Sequence, residues 1–199
     1  MFTQGDIPQD VLMNSLSFST FNAESALASA RRTFATEIQA LSDLSSQLDQ
    51  EFALAVEHLL HCKGRVVVTG IGKSGHIARK IAATLASTGT PAFFMHAAEA
   101  LHGDLGMITP DDVIIAISYS GSANELITVL TTTKRLGCTF IAITGNQDSA
   151  LALNADLHLN VHVEYEACPL NLAPTSSTTA TLVLGDALAI ACLEAKEFS

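Results

Sequence analysis

Apolar residues recur along this chain in two different rhythms. Phe34, Ile38, Leu41, Leu44 and Leu48 fall at helical spacing within residues 23–48, and Phe52, Val56, Leu59 and Leu60 do so within 50–61, behind Asp49 as a suitable N-cap. Two amphipathic helices are predicted there. From residue 65 the rhythm changes to short unbroken runs: RVVVTG (65–70), PAFFM (91–95), DVIIAIS (112–118), TFIAITG (139–145) and LHLNV (157–161). Hydrophobicity that is continuous rather than alternating marks strands covered on both faces, as in a parallel sheet. Segments 74–88, 123–136 and 176–197 read as the covering helices. The expected fold is α/β, a Rossmann-like three-layer α/β/α sandwich around a five-stranded parallel sheet. No repeat, low-complexity tract or Pro/Gly-rich linker divides it. One domain is expected over 49–199, preceded by a segment 1–48 whose first 19 residues form a weakly ordered lead and whose helix serves oligomerisation.

Composition adds three constraints. The 199 residues are 48% hydrophobic and only 15% charged, enough for one substantial core. Mean hydropathy of +0.34 is high for a soluble monomer, yet no run approaches the ~18 consecutive apolar residues of a membrane span, so the surplus points to subunit contacts. Ten basic against twenty acidic residues give a net charge of -10 with no basic cluster; neither a nucleic acid nor an anionic membrane is an expected partner. Cys62, Cys138, Cys168 and Cys192 lack C-x-x-C spacing, and MFTQGDIPQD has no charged-then-apolar signal pattern. A reduced, cytoplasmic protein with buried thiols is expected.

Parallel sheets bind ligands beyond the carboxyl ends of their strands. After the first strand comes Gly70-Ile71-Gly72-Lys73-Ser74-Gly75-His76, which satisfies G-x-G-x-x-G and contains G-K-S. A triphosphate-binding P-loop needs a glycine five residues before Gly72, where this chain has Val67 inside the strand. A dinucleotide site needs an acid closing the second strand, but that strand runs Phe93-Phe94-Met95-His96 and no carboxylate appears before Glu99. Lys73 would also project into a pyrophosphate, whereas a small anion could use it directly. After the third strand, Ser118-Tyr119-Ser120-Gly121-Ser122 runs into a helix. Small residues there let backbone N–H groups and hydroxyls converge on a phosphate, although a serine-rich helix cap is the plainer reading of the same residues.

The strings VTGIGKSGHIARKIAATLASTGTPAFF, EALHGDLGMITPDDVIIAIS and YEACPLNLAPTSSTTATLVLGDALAIA, with the serine loop among them, resemble the SIS (sugar isomerase) domain of the D-arabinose-5-phosphate isomerase family. The resemblance covers about residues 50–195. It implies an aldose-ketose isomerase interconverting D-ribulose 5-phosphate and D-arabinose 5-phosphate, supplying octulosonate (Kdo) for lipopolysaccharide or capsule, as a cytoplasmic homotetramer built as a dimer of dimers, without a cofactor or metal. The family's site falls on Lys73, His102, Glu125 and Glu166, read as catalytic, and on Ser74, Ser118 and Ser120, read as substrate-binding; Gly72, Gly121 and Ser122 of the same loops are read as substrate-binding beside them. Where members read S-N-S-G-E, this chain has Tyr119 and Ser122. The chain stops at Ser199, before the S-H-P-G-G histidine and the CBS pair that many members carry, so a form lacking CBS domains is expected. A noncatalytic SIS module that binds a sugar phosphate is the alternative.

Moving a carbonyl between C1 and C2 requires ring opening, proton transfer between the two carbons and stabilisation of an enediolate. Glu166 and Glu125 are both candidates for the carbon base. Glu166 lies in an otherwise neutral stretch where partial burial is expected to raise its pKa. Lys73 is assigned to the enediolate or a nearby substrate oxygen, and His102 to ring and hydroxyl protons. His58, His61, His158 and His162 fall in ordinary helix or strand patterns and are read as structural. His96, Glu99 and His102 match no strong metal-ligand spacing.

Overall fold

The computed structural model describes residues 21–196; the expected lead at 1–19 lies outside the described residues. Helix α1 (Ala23–Ser46) starts at Asn22, whose side chain accepts from the Ser25 N–H. Asp49 caps α2 (Gln50–Leu60) by accepting from the Glu51 N–H, as its position before the apolar pattern predicted. There follow β1 (Val66–Gly70), α3 (Gly72–Ser87), β2 (Ala92–His96), α4 (Ala97–Ala100), a 3-10 turn (Asp104–Met107), β3 (Val113–Ile117), α5 (Asn124–Leu136), β4 (Thr139–Thr144), α6 (Ala150–Asn154), β5 (Leu157–Asn160) and α7 (Ser176–Ala195). All strand pairings are parallel, in the order β2-β1-β3-β4-β5.

Each strand sends alternate side chains to opposite faces, and both faces are covered. Val66, Val68, Ile115, Ile141 and Ile143 join Leu44 of α1, Leu59 of α2, Ile81 and Leu85 of α3, and Leu184 and Leu188 of α7. Val67, Ile114, Ala116 and Phe140 join Leu126 and Val129 of α5 and Leu151 of α6. The three-layer sandwich is therefore as expected. Its carboxyl strand ends all lie along one edge, where the helices α3 and α5 begin.

The apolar stripe of α1 is split. Leu44 is buried and Leu41 packs on the core, whereas Phe34 is 70% exposed and Ile38 59%. Helix α7 packs against α1, α2 and α3. Among the described residues it is the one helix long and apolar enough to cross a membrane, and half of that stretch is buried inside the fold.

Candidate active site

The strand order reverses direction between β1 and β3, and a sheet of this kind opens a crevice at that point. Two segments enter it. The first is the turn from β1 into α3. Gly72 takes a left-handed φ of 57°, and a Cβ on Gly75 would stand 3.1 Å from the Gly70 carbonyl oxygen, so strand end and helix start touch directly. The second is the serine loop. Ser118 is buried and its Oγ accepts from the Gly121 N–H at 3.2 Å, while the Ser120 and Ser122 hydroxyls hydrogen-bond at 3.0 Å. Gly121 has a φ of 64° and lies against the Ser149 side chain, with no room for a Cβ.

Capping distinguishes the two helices that begin at the crevice from α1, α2 and α6. Helices α1, α2 and α6 begin at Asn22, Asp49 and Ser149, whose side chains accept first-turn N–H groups. Helices α3 and α5 begin at Ile71 and Ala123 with no side-chain cap. Their first-turn donors are thus left for an anion, at the positive ends of two helix dipoles.

Ser74, Ser118, Ser120 and Glu166 line one cleft of about 440 Å³. Gly72 and Lys73 are exposed in the first turn of α3 and Ser122 on the serine loop, Gly121 is buried against Ser149, Glu125 is half-buried in the first turn of α5, and His102 is exposed beyond α4. These six are not part of that cleft's lining. A cleft of about 480 Å³ between α1, α2 and β5 carries Asp49, Glu51 and Asp156, an acidic set that repels an anion, so the smaller cleft is the better match to a phosphate.

Glu166 is held more firmly than its sequence context suggests. Its Oε2 accepts from the Thr175 N–H at 2.7 Å, the Thr175 hydroxyl at 3.0 Å and the Ser177 N–H at 3.2 Å, closing the N-terminus of α7. Partial burial pushes the carboxyl up, but the Ser177 and Thr175 donors outweigh it and hold the acid below the ordinary carboxylate value. The expectation of a raised pKa is corrected here: the donors lie on a segment that only folding brings to the acid. The Ser177 hydroxyl, buried beside the carboxyl, makes no hydrogen bond of full geometry among the described residues. All three of these bonds engage Oε2.

The reading of the residues missed Tyr119, Asn171 and Ser177 as parts of the cleft lining. Asn171, at a φ of 52°, accepts the Glu166 N–H through its Oδ1 at 3.0 Å. Pro174-Thr175-Ser176 is a helix-start signal that could have drawn attention to Ser177. The Asn171 contact leaves no periodic trace.

His158 is fixed by a 2.9 Å hydrogen bond between its Nε2 and the Thr144 hydroxyl, and burial pushes its pKa down. His61 and His162 bond to the Glu57 and Gly145 carbonyls. His96 accepts the Ala98 N–H. Among the described residues no three His, Cys, Asp or Glu side chains are grouped to hold a metal. Cys138 and Cys192 are buried, but Cys62 and Cys168 are only half-buried, against expectation. Cys168 sits on the irregular turn after Glu166, where backbone N–H groups of Ala173, Leu172 and Leu170 lower its thiol pKa.

Comparison with known proteins gives the same fold. The chain is 61% identical over 171 residues to arabinose 5-phosphate isomerase KdsD of Pseudomonas aeruginosa, covering 86% of this chain and 52% of that protein. It is 57% identical over 169 residues to the enzyme of the same name from Escherichia coli K12, covering 85% and 52%. The chain thus spans about half the length of these curated relatives. An E. coli CFT073 protein solved in complex with arabinose 5-phosphate superposes with a TM-score of 0.86 at 44% identity, covering 90% of this chain and 95% of that one. The model of the SIS domain matches residues 59–191, and the chain belongs to the SIS domain family.

Proposed function

We propose that this chain is an aldose-ketose isomerase that interconverts D-ribulose 5-phosphate and D-arabinose 5-phosphate through an enediol. The carrying observation is the pairing, across one cleft, of a phosphate cradle with an oriented carboxylate. The names of the relatives, arabinose 5-phosphate isomerase, and the arabinose 5-phosphate bound to the E. coli CFT073 protein supply the substrate.

In this reading the phosphate binds the uncapped starts of α3 and α5 and the hydroxyls of Ser74, Ser118 and Ser120, with Gly72, Gly121 and Ser122 shaping the loops. The sugar chain then extends towards Glu166. A carboxylate anchored through Oε2 keeps Oε1 in one orientation, which favours proton transfer between C1 and C2 even though its depressed pKa makes it a weaker base. Lys73, on the first turn of α3, stabilises the enediolate. His102 moves hydroxyl protons, and Glu125 is the second candidate base. No redox cofactor or metal is required. Octulosonate synthesis for lipopolysaccharide or capsule is the pathway served, and the cytoplasm is its place, consistent with four free cysteines. The working assembly is a homotetramer, for which the exposed Leu27, Phe34 and Ile38 of α1 offer contact surface.

A second reading, a noncatalytic sugar-phosphate-binding module, draws support from Glu166 itself, because capping α7 is a complete structural role for that acid. Incubation of the purified protein with D-ribulose 5-phosphate in heavy water separates the two. The isomerase yields D-arabinose 5-phosphate without added cofactor and incorporates solvent deuterium. Tight binding with neither product nor exchange would establish the module instead.

A further inference from the structure

Tyr119 lies between two serines of the cradle, yet its side chain serves another part of the molecule. Its hydroxyl donates to the Val163 carbonyl at 3.3 Å and accepts from the Val163 N–H at 3.1 Å. Its own carbonyl accepts from the Gly145 N–H at 2.9 Å. The ring lies so close over Gly145 that a Cβ there would overlap it. One residue thus ties together the segments that follow β3, β4 and β5.

The consequence falls on Glu166. Beyond Asn160, the last residue of β5, the chain has no strand partner and is held at single points. Val161 donates to the Thr144 carbonyl at 2.9 Å, and His162 bonds the Gly145 carbonyl through Nδ1 at 3.1 Å. Val163 is buried, and its N–H and C=O are both satisfied by the Tyr119 hydroxyl, which does the work of a missing neighbouring strand. The next hydrogen bond made by a backbone N–H along this segment is that of Glu166 itself to Asn171. With both its donor and its acceptor committed to backbone, the phenol has no proton to offer a substrate.

We propose that Tyr119 is a positioning residue: it fixes the span between the serine cradle and the Glu166 carboxylate. The kinetic part of this inference rests on the isomerase reading above. Tyr119→Phe removes the hydroxyl, whereas Gly145→Ala keeps it and displaces the ring, so two unlike changes disturb one brace. Each is expected to lower kcat by about 10–100-fold while KM and the affinity for D-arabinose 5-phosphate stay within about threefold, because sub-ångström placement governs proton transfer more than phosphate binding. Amide exchange at Val163 should accelerate in both. A kcat within about twofold of the wild type while Val163 exchange rises, or equal losses of kcat and affinity, would overturn the proposal. If the wild-type protein itself shows no turnover, the isomerase reading fails by itself. The brace is then read from the Glu166 carboxyl by carbon-detected NMR titration: loosened Oε2 bonds should move its pKa up towards the ordinary value in Tyr119→Phe, and an unchanged titration would refute it. Should Tyr119→Phe not fold, Gly145→Ala carries the same measurements.

Discussion

Glu166 caps a helix through Oε2 and also lines the cleft, where the proposed reading gives it proton transfer. Glu166→Gln is therefore expected to lower turnover by about 10²–10⁴-fold with sugar-phosphate affinity within a few-fold. Ser120→Ala, its contrast, should mainly weaken binding, by about 1.5–3 kcal/mol for a charge-assisted bond. Steady-state kinetics and calorimetry on the pair check the split. The cap also has a pH signature. The carboxyl is held below its unfolded value, so its stabilisation is present above the unfolded carboxylate pKa of about 4.3 and is lost as pH falls through the folded pKa. Wild type should melt above Glu166→Gln at neutral pH, and the gap should close on acidification. Glu166 was a candidate acid through the family resemblance, with the neutral residues around it suggesting burial; the direction of its shift could not be read. Its donors stand 9 and 11 residues further on, beyond an irregular turn whose shape no local pattern encodes.

Among elements, legibility followed length. The central strands β1, β3 and β4 could be found because they are buried at almost every position, and β2 and β5 from shorter apolar runs although they are only partly buried. The long helices could be found because three or more turns repeat their spacing. The 4-residue α4 and 3-10 turn and the 5-residue α6 escaped, since each completes barely one turn. The loop after β5 escaped too, because Tyr119 organises it from another strand's end. Helix α7 was legible as a helix but not in its packing, because its apolar residues surround it instead of forming a stripe. It meets α3 at Gly185, where a Cβ would overlap Ile81, itself fully buried. Gly185→Ala should cost about 1–3 kcal/mol by overpacking, or a fall in Tm of about 2–12 °C for a chain of this size. In combination with Ile81→Ala, itself destabilising, the joint loss should be less than the sum of the two separate losses. A calorimetric melt in which Gly185→Ala is neutral would mean that the two helices can separate without penalty.

At the scale of the whole molecule, the surplus hydrophobicity seen in composition has a location. Phe34 and Ile38 on α1 are 70% and 59% exposed, more than a solitary subunit needs to show. A Phe34→Glu, Ile38→Glu double variant should shift sedimentation from tetramer towards smaller species while the circular dichroism of the subunit is retained; a wild-type chain that sediments as a monomer at micromolar concentration would remove the proposed assembly. The covering of one sheet face has a different consequence, in time. Helices α1 and α2 pack against α7, and the Thr179 hydroxyl reaches the Glu37 carboxylate across 142 residues of sequence. On a ribosome adding about 5–20 residues per second, Glu37 is made roughly 7–28 s before Thr179. The strands and their crossover helices can assemble as they emerge, but the parts of the first two helices that meet α7 must wait uncovered. Synthesis thus includes an interval in which the α7-facing sides of these helices lack their partner, and it closes only when α7 has left the exit tunnel.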